Sequence, residues 1–96
     1  MQDTMKEKAI LIEKEQIPNL HFKDAITFDQ DPNLRKKLVE ATKLGNIHHG
    51  KIRIDFMDDD GPKYVETTIW ATGGKYICLK GGVWLPISRI SKLSMV

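Results

Sequence analysis

Several groups of residues in this 96-residue chain have the types that chemistry requires. Asp58, Asp59, Asp60 and Gly61 suggest a calcium loop, but setting Gly61 at the sixth position of an EF-hand puts Phe56 first and Thr67 twelfth. Both ends should be acidic, so the pattern fails. An acidic hairpin turn is the reading that remains, because aspartate and glycine suit tight turns. Gly74 and Lys75 run into Tyr76 and lack the upstream glycine of a phosphate-binding loop. His48 and His49 are adjacent and would point to opposite sides of a strand. With Cys78 the only cysteine, no metal site is expected. Cys78 itself reads as a small packed hydrophobe with no obvious base. Asp24, Glu66 and the other carboxylates show no pairing that suggests acid–base work. The expectation is a chain without catalytic residues, metal, cofactor or small-molecule substrate.

The residues that do recur in a useful pattern are aromatic and basic. Tyr64, Trp70, Tyr76 and Trp84 fall on the strand parity opposite the aliphatic residues, and Lys51, Arg53 and Lys80 fall there too. Rings interleaved with cations on a curved sheet can stack bases and hold phosphates, at roughly 1–3 kcal/mol per stacked base. They can equally grip a peptide. The competing account is structural: an amphipathic helix must bury somewhere, and this face is its obvious seat. The covered face is the leading expectation.

The elements that must position these residues lie between Gly50 and Leu93. Lys51 to Met57, Lys63 to Thr72, Lys75 to Lys80 and Val83 to Ser88 alternate apolar with polar residues and are rich in β-branched and aromatic types. Asp58 to Pro62, Gly73-Gly74 and Gly81-Gly82 separate them, as turns of an antiparallel meander should. Ile52, Ile54 and Phe56 share one face, as do Val65, Thr67, Ile69 and Ala71; Ile77 with Leu79, and Val83 with Leu85 and Ile87, continue the set. Two-residue loops at the glycine pairs would oppose aliphatic to mixed faces. Core burial therefore predicts three-residue loops that bring Ile69 beside Ile77 or Leu79, with a left-handed glycine. Pro86 lacks an N–H and must turn its nitrogen away from a partner strand. The spacing of Ile87, Ile90 and Leu93 predicts a 3₁₀ turn at 88–90 and a last strand through Met95.

Before the meander, Asp31 suits an N-cap, Pro32 a first helical position and Gly45 the residue after the last turn. Leu34, Leu38, Ala41 and Leu44 form the face of this helix, with Val39 at its edge, and Arg35, Lys36 and Lys37 read as its solvated side. Thr4 and Glu7 have capping-box spacing for a helix over 5–16, but the short apolar run from Ala9 to Ile12 favours an edge strand. Pro18 should end either element. Leu20, Phe22, Ile26 and Phe28 offer anchors for irregular packing.

A meander with a 3₁₀ turn before its fifth strand resembles SH3-like barrels, and the preceding helix makes it resemble Sm-like barrels. The stretch from Leu79 to Ile90 resembles the closing hairpin of short bacterial proteins with such barrels. The resemblance implies nucleic-acid or protein binding. The expected fold is α+β in a single domain: an N-terminal arm over 1–30, a helix over 31–45 and a five-stranded antiparallel SH3-like or Sm-like small barrel over 50–96.

Composition narrows the partners only slightly. The net charge of +2 decides neither for nor against nucleic acid. One cysteine cannot form an internal disulfide, no stretch approaches the ~18 apolar residues of a membrane span, and the first residues lack a signal-peptide pattern. These predict a cytoplasmic protein. The function expected is a non-catalytic module that binds a protein partner or itself through an aromatic patch and open strand edges. The alternative is binding of RNA or single-stranded DNA. The candidate site residues are Arg53, Tyr64, Trp70, Tyr76, Lys80 and Trp84.

Overall fold

The computed structural model describes residues 8–23, 28–48 and 50–96. Among these residues, seven strands and one long helix follow in chain order: β1 (Ile10–Leu11), α1 (Leu34–His48), β2 (Ile52–Asp58), β3 (Gly61–Thr67), β4 (Ile69–Thr72), β5 (Tyr76–Leu79), β6 (Val83–Pro86) and β7 (Ile90–Met95). Two 3₁₀ helices, Lys14–Asn19 and Ile87–Arg89, complete the regular structure.

The domain is α+β, but the expected five-stranded closed barrel is not what forms. Instead there are two sheets: a four-stranded mixed sheet in the order β1-β3-β2-β7, and a three-stranded antiparallel sheet in the order β4-β5-β6. The physical reason lies at three places. First, the run expected as one strand from Lys63 to Thr72 breaks at Thr68, whose hydroxyl donates to the Gly50 carbonyl at 2.9 Å. Its two halves therefore serve different sheets. Second, the arm contributes β1, which lies parallel to β3 with Ile10 opposite Lys63. Third, side chains rather than ladders join the sheets: α1 packs on β4 and β7, and the 3₁₀ helix of the arm packs on β6.

Alternation places the core as the sequence predicts in most strands. Ile54, Phe56, Val65, Ile77, Leu79 and Leu85 are buried, joined by Ile17, Leu34, Leu38, Ile69 and Ile90. The β5–β6 loop spans three residues and pairs Leu79 with Val83 as expected. At Gly73-Gly74 the pairs next to the turn are instead Thr72 with Ile77 and Ala71 with Cys78, an even-membered loop, and Ile69 meets Leu79 only through a bulge. Gly81 and Gly82 take positive φ of 90° and 85° as expected, whereas the loop at Gly73-Gly74 forms without a left-handed glycine. The parity fails at one point. Trp70 is an extra residue between the Ile69–Leu79 and Ala71–Cys78 pairs, and this bulge moves Ala71 from the core face to an exposed position. The 3₁₀ turn precedes β7 as predicted, displaced by one residue to Ile87–Arg89.

α1 runs past its expected end to His48, so Gly45 lies inside it and is buried. Asp31 caps the turn that leads into α1, although the helix proper begins only at Leu34: its Oδ1 accepts the Asn33 N–H at 2.8 Å, and its other oxygen meets the Lys37 ammonium. Leu34 and Leu38 are buried and Ala41 half-buried, but Leu44 is exposed, so the predicted face is only partly used. In the arm the edge strand forms, while Pro18 sits within the first 3₁₀ helix instead of ending it. That helix starts with the Gln16 side chain accepting the Glu13 N–H at 2.9 Å. The Thr4–Glu7 box, Asp24, Ile26 and His49 lie outside the described residues.

Candidate functional site: the open face of the three-stranded sheet

Strand alternation builds this site. In β5, Ile77 and Leu79 point into the core, leaving Tyr76 and Cys78 on the other side; in β6, Leu85 points inward, leaving Trp84 and Pro86 outward. Cys78 lies opposite Trp84 and Tyr76 opposite Pro86, so Tyr76 and Trp84 are diagonal neighbours on one face. The bulge in β4 adds Trp70. Trp70 is 46% exposed, Tyr76 49% and Trp84 57%. The helix does not cover them. It is held on the far side of β4, where the Thr42 and Thr72 hydroxyls lie 2.7 Å apart and Arg35 donates to the Gly73 and Gly74 carbonyls at 2.9 and 2.6 Å. The expectation that α1 seats on the aromatic face is therefore overturned: its small contact residues, Gly45 above all, fit the inner side of β4 instead.

The six candidate residues divide between the sheets. Trp70, Tyr76, Trp84 and Lys80 belong to the three-stranded sheet and its β5–β6 turn. Arg53 and Tyr64 lie on β2 and β3 of the other sheet. There the Arg53 guanidinium stands 3.7 Å from the Tyr64 ring centre and donates to both Asp55 oxygens at 2.8 and 3.0 Å. The hydrogen bond to Asp55 also raises its pKa above the ordinary arginine value. Its forked donors are spent on Asp55, and it is not among the rings.

A groove of about 450 Å³ adjoins the face. One wall is Tyr76, Trp84 and Pro86; the other is the arm, with Ile17, Pro18, Leu20 and Phe22; Lys23, Ser88 and Arg89 complete it. The acidic turn holds this second wall in place. Asp58 and Gly61 pair in a β2–β3 hairpin, and Asp58 Oδ1 accepts the Asp60 and Gly61 N–H groups at 3.1 Å and Lys63 Nζ at 2.9 Å. Asp59 reaches the arm: its N–H donates to the His21 carbonyl at 2.9 Å, and its Oδ2 accepts the Lys23 N–H at 3.1 Å. Its Oδ1 accepts from Arg89 at 3.0 Å. The Lys23 N–H first, then the Arg89 guanidinium, hold the Asp59 carboxyl below the ordinary aspartate range against partial desolvation. Arg89 is buried, donates also to the Met57 carbonyl at 3.1 Å and lies 5.4 Å from the Phe22 ring centre.

Sequence reasoning missed the arm wall, Arg89 and Lys75. One signal was present: from Thr67 to Val96 the chain contains no aspartate or glutamate but has Lys75, Lys80, Arg89 and Lys92. Every strand of the aromatic sheet falls in that stretch, so the sheet itself carries no carboxylate.

A second, more apolar groove of about 480 Å³ runs between α1 and the β2–β7 end, bordered by Ala41, Leu44, Ile52, Leu93 and Met95. Among the described residues no three His, Cys, Asp or Glu side chains converge as a metal site would require, and no helix is long and apolar enough to cross a membrane. No family model, curated protein or solved structure matches this chain.

Proposed function

We propose that this protein is a non-catalytic interaction module that engages a protein partner through the outer face of the β4–β5–β6 sheet. One observation carries the reading. Trp70, Tyr76 and Trp84 stay near half exposed on one small sheet although the chain has both a helix and an arm that could cover them. Tryptophan and tyrosine dominate the energetics of protein interfaces because a large, stiff ring gives up water at little entropic cost. Burying exposed apolar area contributes roughly 25 cal/mol per Å². The groove beside the rings gives the face relief, which a partner needs for specificity. Self-association is the same reading with a second copy as partner, and the apolar groove at Leu44 and Met95 offers it a further surface.

Single-stranded nucleic acid is the second reading, favoured by the carboxylate-free sheet with Lys75 and Lys80 at its turns. Acrylamide quenching of tryptophan fluorescence separates the two. Both tryptophans should be quenchable in the free protein. A short mixed-sequence oligonucleotide should leave the quenching unchanged at low and at high salt if the partner is a protein. Protection that appears at low salt and vanishes at high salt would replace the first reading with the second.

A further inference from the structure

We propose that the groove between the arm and β6 accepts an extended peptide segment that is apolar along most of its length and carries a carboxylate at one end. This deepens the partner reading above and rests on it.

The apolar part follows from the walls. Ile17, Leu20 and Phe22 face Tyr76, Trp84 and Pro86 across the cleft, so side chains of both aliphatic and aromatic type meet any occupant. A volume of about 450 Å³ falls within the roughly 300–1,000 Å³ of ligand clefts and suits a few residues of chain rather than a folded surface.

The charged part follows from where the cations sit. The lining holds Lys23 and Arg89 and no carboxylate. Asp59 accepts the Lys23 backbone N–H and the Arg89 guanidinium, so both residues lie at the end of the groove nearest the β2–β3 turn. Each Asp59 oxygen already accepts one of these bonds. Lys23 is exposed, and its ammonium forms no bond among the described residues. An incoming carboxylate therefore meets a cation at that end of a groove that Ser88 also lines. The same distribution disfavours a nucleic acid in this groove. A polyanion needs cations recurring along its track, whereas Ile17, Pro18 and Leu20 supply none.

The test is a selection of random dodecapeptides displayed on phage, run in parallel on the wild-type protein and on the Lys23→Glu, Lys23→Gln and Trp84→Ala variants, each checked for its unfolding midpoint. Wild type should enrich sequences with aspartate or glutamate at one end of an apolar run. Lys23→Glu should enrich lysine or arginine at that same position, and Lys23→Gln should lose the preference. A synthetic copy of a wild-type-selected peptide should bind Lys23→Glu at least tenfold more weakly, and exchanging its acid for lysine should reverse the order. Enrichment that needs Trp84 but shows no acidic position, or the same motif on all three Lys23 forms, overturns this proposal while leaving the partner reading intact. No enrichment of wild type over Trp84→Ala overturns both. Displacement of the selected peptide by oligothymidylate assigns the groove to nucleic acid and overturns the proposal as well.

Discussion

A methyl group built on Gly45 would lie 2.8 Å from Cγ2 of Thr68 and 2.9 Å from the Ile69 carbonyl oxygen. The helix thus approaches β4 closely enough that only a hydrogen fits between them. Glycine in a helix interior ordinarily costs about 0.5–1 kcal/mol relative to alanine. At this contact overpacking, at about 1–3 kcal/mol, outweighs that gain. Gly45→Ala should therefore destabilise the protein by about 1 kcal/mol or more, read as a lower midpoint in chemical denaturation with an unchanged slope.

Leu38 and Leu44 test which part of the same helix is core. Leu38 is fully buried and Leu44 is 53% exposed. Leu38→Ala should cost about 2–5 kcal/mol. Leu44→Ala should change unfolding by no more than about 0.5 kcal/mol. Equal losses would mean that α1 presents both to the core.

The rings of the open face should be dispensable for folding. Tyr76→Ala and Trp84→Ala should each leave the unfolding free energy within about 0.5 kcal/mol of wild type. Leu85→Ala, one residue along β6 but facing inward, should lose about 2–5 kcal/mol. A large loss from Trp84→Ala would show that the ring is packed in solution.

Acid should loosen the arm. The Asp59 carboxyl is held below its ordinary pKa in the folded protein, so it stabilises the fold at pH values above the unfolded aspartate value of about 4. That contribution is lost as pH falls through the lower folded value. Asp31, held down first by Lys37 and then by the Asn33 N–H, acts with the same sign. The thermal midpoint should be flat from pH 7 to about 5 and fall below about pH 4. Asp59→Asn should lower the plateau and shrink the fall.

What was legible in the sequence was what strand alternation controls. Ile54, Phe56, Leu79 and Leu85 announce their burial through a period of two, and the three-residue loop at Gly81-Gly82 follows from matching Leu79 to Val83. The outward parity of Tyr76 and Trp84 was readable for the same reason. Sheet closure was not readable, because it depends on which distant edges pair, and a single residue, Thr68, diverts the chain into a second sheet. Gly45 misleads because a glycine that ends a helix and one that lets a strand approach look alike in one sequence. The bulge at Trp70 leaves no local mark either. Arg53 and Asp55, two apart on one strand and therefore on one face, do announce their pairing. That signal should have removed Arg53 from the ring cluster. The arm wall was hidden because a 3₁₀ helix and irregular chain around Leu20 and Phe22 carry no period.

The anchoring of the arm by Asp59 makes the β2–β3 turn a latch on the groove. One wall of the cleft is continuous sheet, but the other is a separate piece of chain tied to that turn at His21 and Lys23. Upstream the arm is held by β1 on β3 and by the buried Ile17, so the stretch this turn controls is the one from His21 to Lys23. By reciprocity, whatever fills the groove must strengthen the latch by as much as the latch strengthens its hold. An occupied protein should thus keep its arm closed to lower pH than an empty one, and acidification should act as a release.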